Sequence, residues 1–335
     1  MNRLHNLDYV RGVGAFIVMI CHYLIWTYGE FNSSDHLIRF GLYGVAVFFI
    51  LSGLTLYHVY EKNFSFNRLA IVLFIKKRIL RIFPLLWLAT FLSILISGKK
   101  VNLLSDFFLN LSGLFGFIKW DTYYATGAWS IGNELVFYSF FPILLFLLKK
   151  CIPLFFTISV LLFVVFIFFS YNVLDSSVTL TSQWKNYINP LNQSFYFLCG
   201  IIIGRIFKHK ELRSIYSVLL ILIGTITILL LPVKGDLIHL VTGTNRLVFT
   251  ISSILLCVGF YKLKLKFPNL INKTLTLIGE SSYSIYLLHP IIFDLIKQNF
   301  KLPLSIRLIS TVLTTLILSV LIYQYFEKYL IKKSV

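Results

Sequence analysis

A chain of 335 residues that is 58% apolar and only 13% charged departs from soluble domains, which average about 45–50% apolar and about 25% charged. With 33 Phe and 19 Tyr, it carries too many bulky apolar side chains for a disordered, collagen-like or coiled-coil chain. A polytopic membrane protein is what remains. Its 31 Lys and Arg against 13 Asp and Glu leave a formal net charge of +18. These cations fall in short clusters between apolar stretches rather than on one soluble face. That is the pattern of a topology signal, not of a nucleic-acid binder.

Spanning a bilayer takes about 20 apolar residues. Ten stretches qualify or nearly qualify: 8–28, 40–60, 77–97, 128–148, 152–171, 191–207, 213–232, 246–261, 275–296 and 304–327. Residues 103–118 are apolar but short and interrupted by Gly113 and Gly116, which predicts an interfacial or re-entrant segment. With the N-terminus in the cytoplasm and ten alternating spans, 21 Lys and Arg fall on the cytoplasmic side and 10 on the other. Reading 103–118 as an eleventh span would put the clusters at 205–213 and 262–273 on the wrong side. The expected fold is therefore an all-α integral membrane protein of about ten transmembrane helices with both termini cytoplasmic, one domain over residues 1–335. Asp8 and Arg11 stand where the apolar stretch of a cleavable signal peptide belongs, so none is expected. Cys21, Cys151, Cys199 and Cys257 lie singly in apolar segments, as buried small hydrophobes do, and no metal is expected.

Ionisable residues inside spans are costly unless paired or facing a cavity, so they are the informative ones. In the first span, Arg11 and His22 are separated by just over three full helical turns. They share one face about 16 Å apart, with His22 deep in the bilayer. His22 reads equally as a catalytic group or as an interhelical hydrogen-bonding partner, and Asp8 as a first-turn helix carboxylate. Arg78 and Arg81 in KKRILRIFP are i,i+3 neighbours at the start of the third span. Two guanidiniums on one face suit a phosphate bidentately, while positive-inside topology accounts for Lys76 and Lys77. In AWSIGNELVFYSFFP, Glu134 has Ser130 and Tyr138 one turn away on its own face, a carboxylate placed for an acceptor hydroxyl, a proton partner or an ion. Trp129 reads first as an interfacial anchor and second as a substrate platform. In SSYSIYLLHPII, Ser282, Tyr286 and His289 fall within two turns, and Pro290 predicts a kink. Glu327 in YFEKY is expected to pair with a nearby arginine. Gly44, Ser52 and Gly53 read as helix-packing residues. Sequence motifs for ATP-driven pumps, zinc proteases and the usual serine hydrolases are absent.

Taken in order, LDYVRGVGAFIVMICHY, GVAVFFILSGL, RILRIFP, WSIGNELVFYSFFP, SYSIYLLHP and the terminal FEKY resemble the membrane acyltransferase-3 family over essentially the whole chain. Members transfer acyl groups onto sugars and other acceptors. Tyr329 stands where many members carry Pro after Glu-Lys, and the chain resembles the stand-alone form without an appended hydrolase-like domain. The resemblance implies an acyl-CoA donor, acetyl-CoA foremost, on the cytoplasmic side of a bacterial inner membrane. It implies an acceptor hydroxyl on a surface polysaccharide, O-antigen or lipid-linked glycan. It also implies that His22 is the catalytic histidine with Arg11 its partner, that Arg78 and Arg81 hold the donor phosphates, and that Glu134 is the carboxylate of the Trp-Ser-x-x-x-Glu motif. Trp129, Ser130, Tyr286, His289 and Glu327 are the candidates for acceptor-binding or supporting roles.

The residue geometry fits that reading on its own terms. CoA is a multiply charged head on a long thin arm, and a basic rim with a histidine about 16 Å deeper suits a head at the surface and an acyl end threaded inward. Neutral His22 could take the proton of an attacking hydroxyl, and Arg11 could hold phosphate or developing negative charge. Direct transfer and a covalent acyl-histidine both remain open. The competing class is a transporter or flippase of an anionic or lipid-linked solute lined by the same residues, although inverted repeats are not evident. Oligomeric state is left open.

Overall fold

The computed structural model describes residues 4–29, 31–96, 98, 103–264 and 267–332. Arg3, Lys99, Lys100, Lys266 and Lys333, which entered the charge count, lie outside the described residues. Among the described residues every regular element is helical: α1 (His5–Tyr28), α2 (His36–Tyr60), α3 (Arg68–Ile96), α4 (Leu104–Ser112), α5 (Phe115–Ile118), α6 (Ala128–Lys150), α7 (Ile152–Phe168), α8 (Trp184–Tyr187), α9 (Pro190–Phe207), α10 (Ser214–Leu230), α11 (Ile238–Val241), α12 (Gly243–Lys262), α13 (Asn269–Glu280), α14 (Ser282–Asn299), α15 (Leu304–Ile322) and α16 (Lys328–Lys332). One π turn, Phe169–Val173, continues α7, and another, Tyr323–Glu327, joins α15 to α16.

Among the described residues seven helices, against the ten stretches expected, are long and apolar enough to cross a membrane: α1, α2, α3, α6, α7 with its π turn, α12, and the run from Leu304 to Lys332. The chain is thus an all-helical, multi-pass membrane protein. The faces that α7, α10 and α15 turn outward are apolar, with Phe156, Val160, Ile223 and Ile309 each at least half exposed. In water such a surface would aggregate; in a bilayer it is the lipid contact.

Two boundaries differ markedly from the sequence expectation. Helix α3 begins at Arg68, not after Lys76, because Asn67 caps it: its side-chain oxygen accepts the Ala70 N–H at 2.8 Å. Arg78 and Arg81 therefore lie about 15–20 Å into the helix rather than at its start. The expected span 275–296 is two helices that break at Ser281, not one kinked at Pro290, which stays inside α14. The break lets α13 lie backbone to backbone on α1: a Cβ on Gly12 would stand 2.8 Å from the Gly279 amide. Residues 103–118 form the two short helices α4 and α5, parted by Gly113 with φ +73°, a left-handed residue that ends α4.

Helix α2 is the axis of the bundle. It packs on α1, α9 and α12, and Phe49, Ile50, Leu51 and Leu54 are buried completely or nearly so. Its closest approach is to α9, where a Cβ on Gly53 would run into the Phe197 carbonyl and one on Gly200 into the Ile50 carbonyl. Small residues at such crossings are how helices gain contact in lipid, where apolar burial gives no net drive. Gly53 is thus a packing residue, as expected, but Ser52 is not. It opens onto the interior cavity described next.

Candidate active site

Three cavities follow one another along the faces of α1, α2, α3, α6 and α14. The first, about 250 Å³, opens at the end of the bundle where the Lys and Arg clusters gather, and is lined by Asp8, Arg11, Thr55, His58, Arg78 and Arg81 among others. The second, about 90 Å³, shares Arg11 and Arg81 with the first and adds Ser52, Ser130, Glu134, Tyr138, Tyr283 and Tyr286. The third, about 220 Å³, shares Val45 and Tyr286 with the second and contains His22, Trp129, Tyr123, Trp184 and Asp236. Shared walls place the three in series: guanidiniums at one end, a narrow polar middle, a histidine in an aromatic chamber at the other.

Arg11 is drawn across to α2, where its Nη2 donates to Thr55 Oγ1 at 2.8 Å and to the Leu51 carbonyl at 3.2 Å. Asp8, in the first turn of α1, stands 3.7 Å from Arg11 Nη1. Arg78 lies over the rings of Phe74 and Tyr138, at 5.6 and 5.7 Å, and its Nε is buried with no hydrogen-bond partner. Aromatic faces hold this cation without neutralising it, which leaves its charge for an anion in the first cavity.

In the narrow middle, Tyr138 donates to Glu134 Oε2 at 2.8 Å, so Ser52, 2.7 Å from the same phenol oxygen, donates to Tyr138. Ser130 donates to Tyr286 Oη at 2.9 Å, and Tyr286 in turn reaches the Gly127 carbonyl at 3.2 Å. The i, i+4, i+8 row of Ser130, Glu134 and Tyr138 thus faces one chamber as its spacing predicts. Glu134, however, belongs to the middle chamber and His22 to the third, the outer chamber in the sense that it lies away from the arginine cavity. Tyr286 lines both. Glu327, expected to pair with an arginine, instead accepts a hydrogen bond from Ser284, with Arg81 near enough to act on it electrostatically.

His22 Nδ1 lies 2.8 Å from His289 Nε2. The direction of that bond follows from the next one. His289 Nδ1 is 3.1 Å from the Ile285 carbonyl, which can only accept, so Nδ1 carries the His289 proton and Nε2 has the lone pair. His22 Nδ1 must therefore donate, and His22 Nε2 is left as the basic nitrogen in the outer chamber. Trp26 lies nearly parallel to both imidazoles, at 12° and 13°, and Tyr23 fixes the backbone beneath by donating to the His289 carbonyl at 3.0 Å. His289 is fully buried. The histidine pair joins α1 to α14, 267 positions apart.

Trp129 is buried, edge-on to Trp184, and forms a wall of the outer chamber; it is not an interfacial anchor. Sequence reasoning passed over Thr55, His58, Tyr123, Trp184, Tyr187 and Asp236. Four of these come from connections between long helices, where no periodicity marks a side chain as inward. Burial pushes the phenols of Tyr123 and Tyr187 up from the ordinary value, so both stay neutral. Among the described residues no cluster of His, Cys, Asp and Glu could hold a metal ion, and the four cysteines are unpaired thiols.

A family model described as an acyltransferase domain matches residues 4–324. No curated protein and no solved structure matches the chain.

Proposed function

The chain belongs to the membrane acyltransferase-3 family, and from that premise we propose that it is an acyl-CoA-dependent O-acyltransferase, acetyl-CoA foremost, acting on a hydroxyl of a surface polysaccharide, O-antigen or lipid-linked glycan. The three cavities in series carry this reading. In it, ten spans hold both termini and the arginine cavity on the cytoplasmic side of a bacterial inner membrane, with α4 and α5 at the opposite interface, and the whole chain is one domain.

Arg78, Arg81 and Arg11 bind the phosphates of the donor, two of them lining the entrance to the middle chamber as well. The hydroxyls of Ser52, Ser130 and Tyr138 and the Glu134 carboxylate offer hydrogen bonds to the amides of a thin arm threaded through about 90 Å³. The thioester then meets the acceptor hydroxyl at the boundary marked by Tyr286. His22 Nε2 takes the hydroxyl proton, the oxygen adds to the carbonyl, the carbon–sulfur bond breaks, and the thiolate leaves with a proton returned from His22. His289 keeps His22 in the tautomer this requires, a positioning role like that of the third member of a nucleophile–base–orienter set.

Purified protein supplied with acetyl-CoA and acceptor should release free CoA thiol, and His22→Ala should lower the rate by about 10²–10⁴-fold. Full acceptor acylation by that variant would overturn the mechanism. A path of cavities through the bundle also fits a transporter; flux of a lipid-linked solute into proteoliposomes with no acyl product would establish that reading instead.

A further inference from the structure

We infer that the outer chamber is a binding site for one uncharged pyranose ring of the acceptor, held between aromatic faces, with any phosphate or uronate of the acceptor outside it. The inference rests on the acyltransferase reading and specifies its substrate.

Size is the first constraint. At about 220 Å³ the chamber is smaller than the roughly 300–1,000 Å³ of drug-sized sites, enough for a single ring and not for a disaccharide. The walls are the second. Trp129, Trp184, Tyr123, Tyr187 and Tyr286 line it, rigid amphipathic rings whose faces take the apolar C–H face of a sugar while their polar edges reach its hydroxyls. The Trp184 indole N–H donates to Tyr123 Oη at 2.9 Å, which fixes two of these rings against each other. Charge is the third. The first cavity has three arginines, whereas the outer chamber has no Lys or Arg in its lining. Its carboxylate is Asp236, whose Oδ1 accepts from the amides of Leu180 and Ile238, both at 2.8 Å. A carboxylate in the lining suits a hydroxyl donor and repels an anion. An anionic group here would lose its hydration with no cation in the lining to receive it; the nearest buried one, Arg246, stands outside the lining, close enough to Tyr187 to act on it.

The test uses purified full-length protein, acetyl-CoA and matched methyl pyranosides: a neutral hexoside, its 6-phosphate and the corresponding uronide. Thiol release and product mass are read together. The neutral glycoside should be acetylated, with kcat/KM for the phosphate and uronide lower by at least about 100-fold. Asp236→Asn keeps an acceptor for both amides and should narrow the discrimination against the uronide by about tenfold or more. Trp184→Phe should raise KM for the glycoside with KM for acetyl-CoA unchanged, a split that a misfolded variant would not show. Equal or better turnover of the uronide, or acylation of envelope glycan but of no single-ring glycoside, would overturn the inference. Failure of the protein to bind acetyl-CoA at all would instead overturn the acyltransferase reading beneath it.

Discussion

At the scale of single residues, the proposed chemistry turns on which nitrogen of His22 is bare, and that is set by a neighbour. A carbonyl of α14 fixes the His289 proton on Nδ1, and His289 then fixes the proton of His22. His289→Ala should lower kcat by about 10²–10³-fold while leaving KM for acetyl-CoA in place, because the wrong tautomer removes the base and not the donor site. His289→Gln, which retains an acceptor, should keep more activity than Ala; equal loss in both would reduce His289 to packing. Arg78 makes the complementary case. Arg78→Lys preserves the charge but loses the planar fork and the ring contacts to Phe74 and Tyr138, so KM for acetyl-CoA should rise about tenfold with kcat little changed. An unaltered KM would remove Arg78 from the donor site. Arg11, His22 and Arg78 were legible as candidates because an ionisable group inside an apolar stretch needs a reason. Asp236 was not, since a carboxylate in a polar loop looks like any other.

Elements are held in register by close backbone contact and by the buried cation Arg39. Gly200→Ala would push a methyl into the Ile50 carbonyl and the Leu54 amide of α2, backbone that cannot swing aside. It should destabilise the protein by about 1–3 kcal/mol or more, read as a lower melting temperature in detergent. Gly14→Ala faces only the end of the Phe48 ring and should cost less; the reverse order would contradict the α2–α9 contact. Arg39, 2% exposed, donates to the carbonyls of Ser33, Ile228, Leu229 and Val233. It closes the C-terminal end of α10 onto the start of α2. Arg39→Met strips those carbonyls of their donor and should cost more than about 3 kcal/mol; a wild-type melting temperature would show that other groups satisfy them. The helices themselves follow from apolar length. The start of α3 and the break at Ser281 do not, because one depends on the Asn67 cap and the other on how Gly279 meets α1.

For the whole molecule, the charge asymmetry and the cavity order make one joint claim about orientation. Lys150 and Lys210 lie at the end where the arginine cavity opens, and Ser177 and Lys234 at the end of the aromatic chamber. In a background without the native cysteines, Ser177→Cys and Lys234→Cys should react with a membrane-impermeant maleimide in intact cells. Lys150→Cys and Lys210→Cys should react only after permeabilisation. The opposite pattern would invert the protein and place the donor site outside the cell. The long apolar stretches are evident from hydropathy alone, which marks ten where seven of the described helices are long and apolar enough to span, since lipid asks only for length and the absence of charge.

What the sequence determined by itself is the membrane class, the helical content, the family, and a short set of polar residues that lipid would not tolerate without function. The alignment of Arg11 with His22 was also there, because a helix has a fixed period. The tertiary structure alone decided which of those residues meet. It put Glu134 and His22 in separate chambers, joined His22 to His289 across 267 positions, turned Trp129 inward, and closed an aromatic chamber of about 220 Å³ with loop residues. Periodicity reports which face of a helix a side chain occupies; only the packing of helices against one another determines what that face sees.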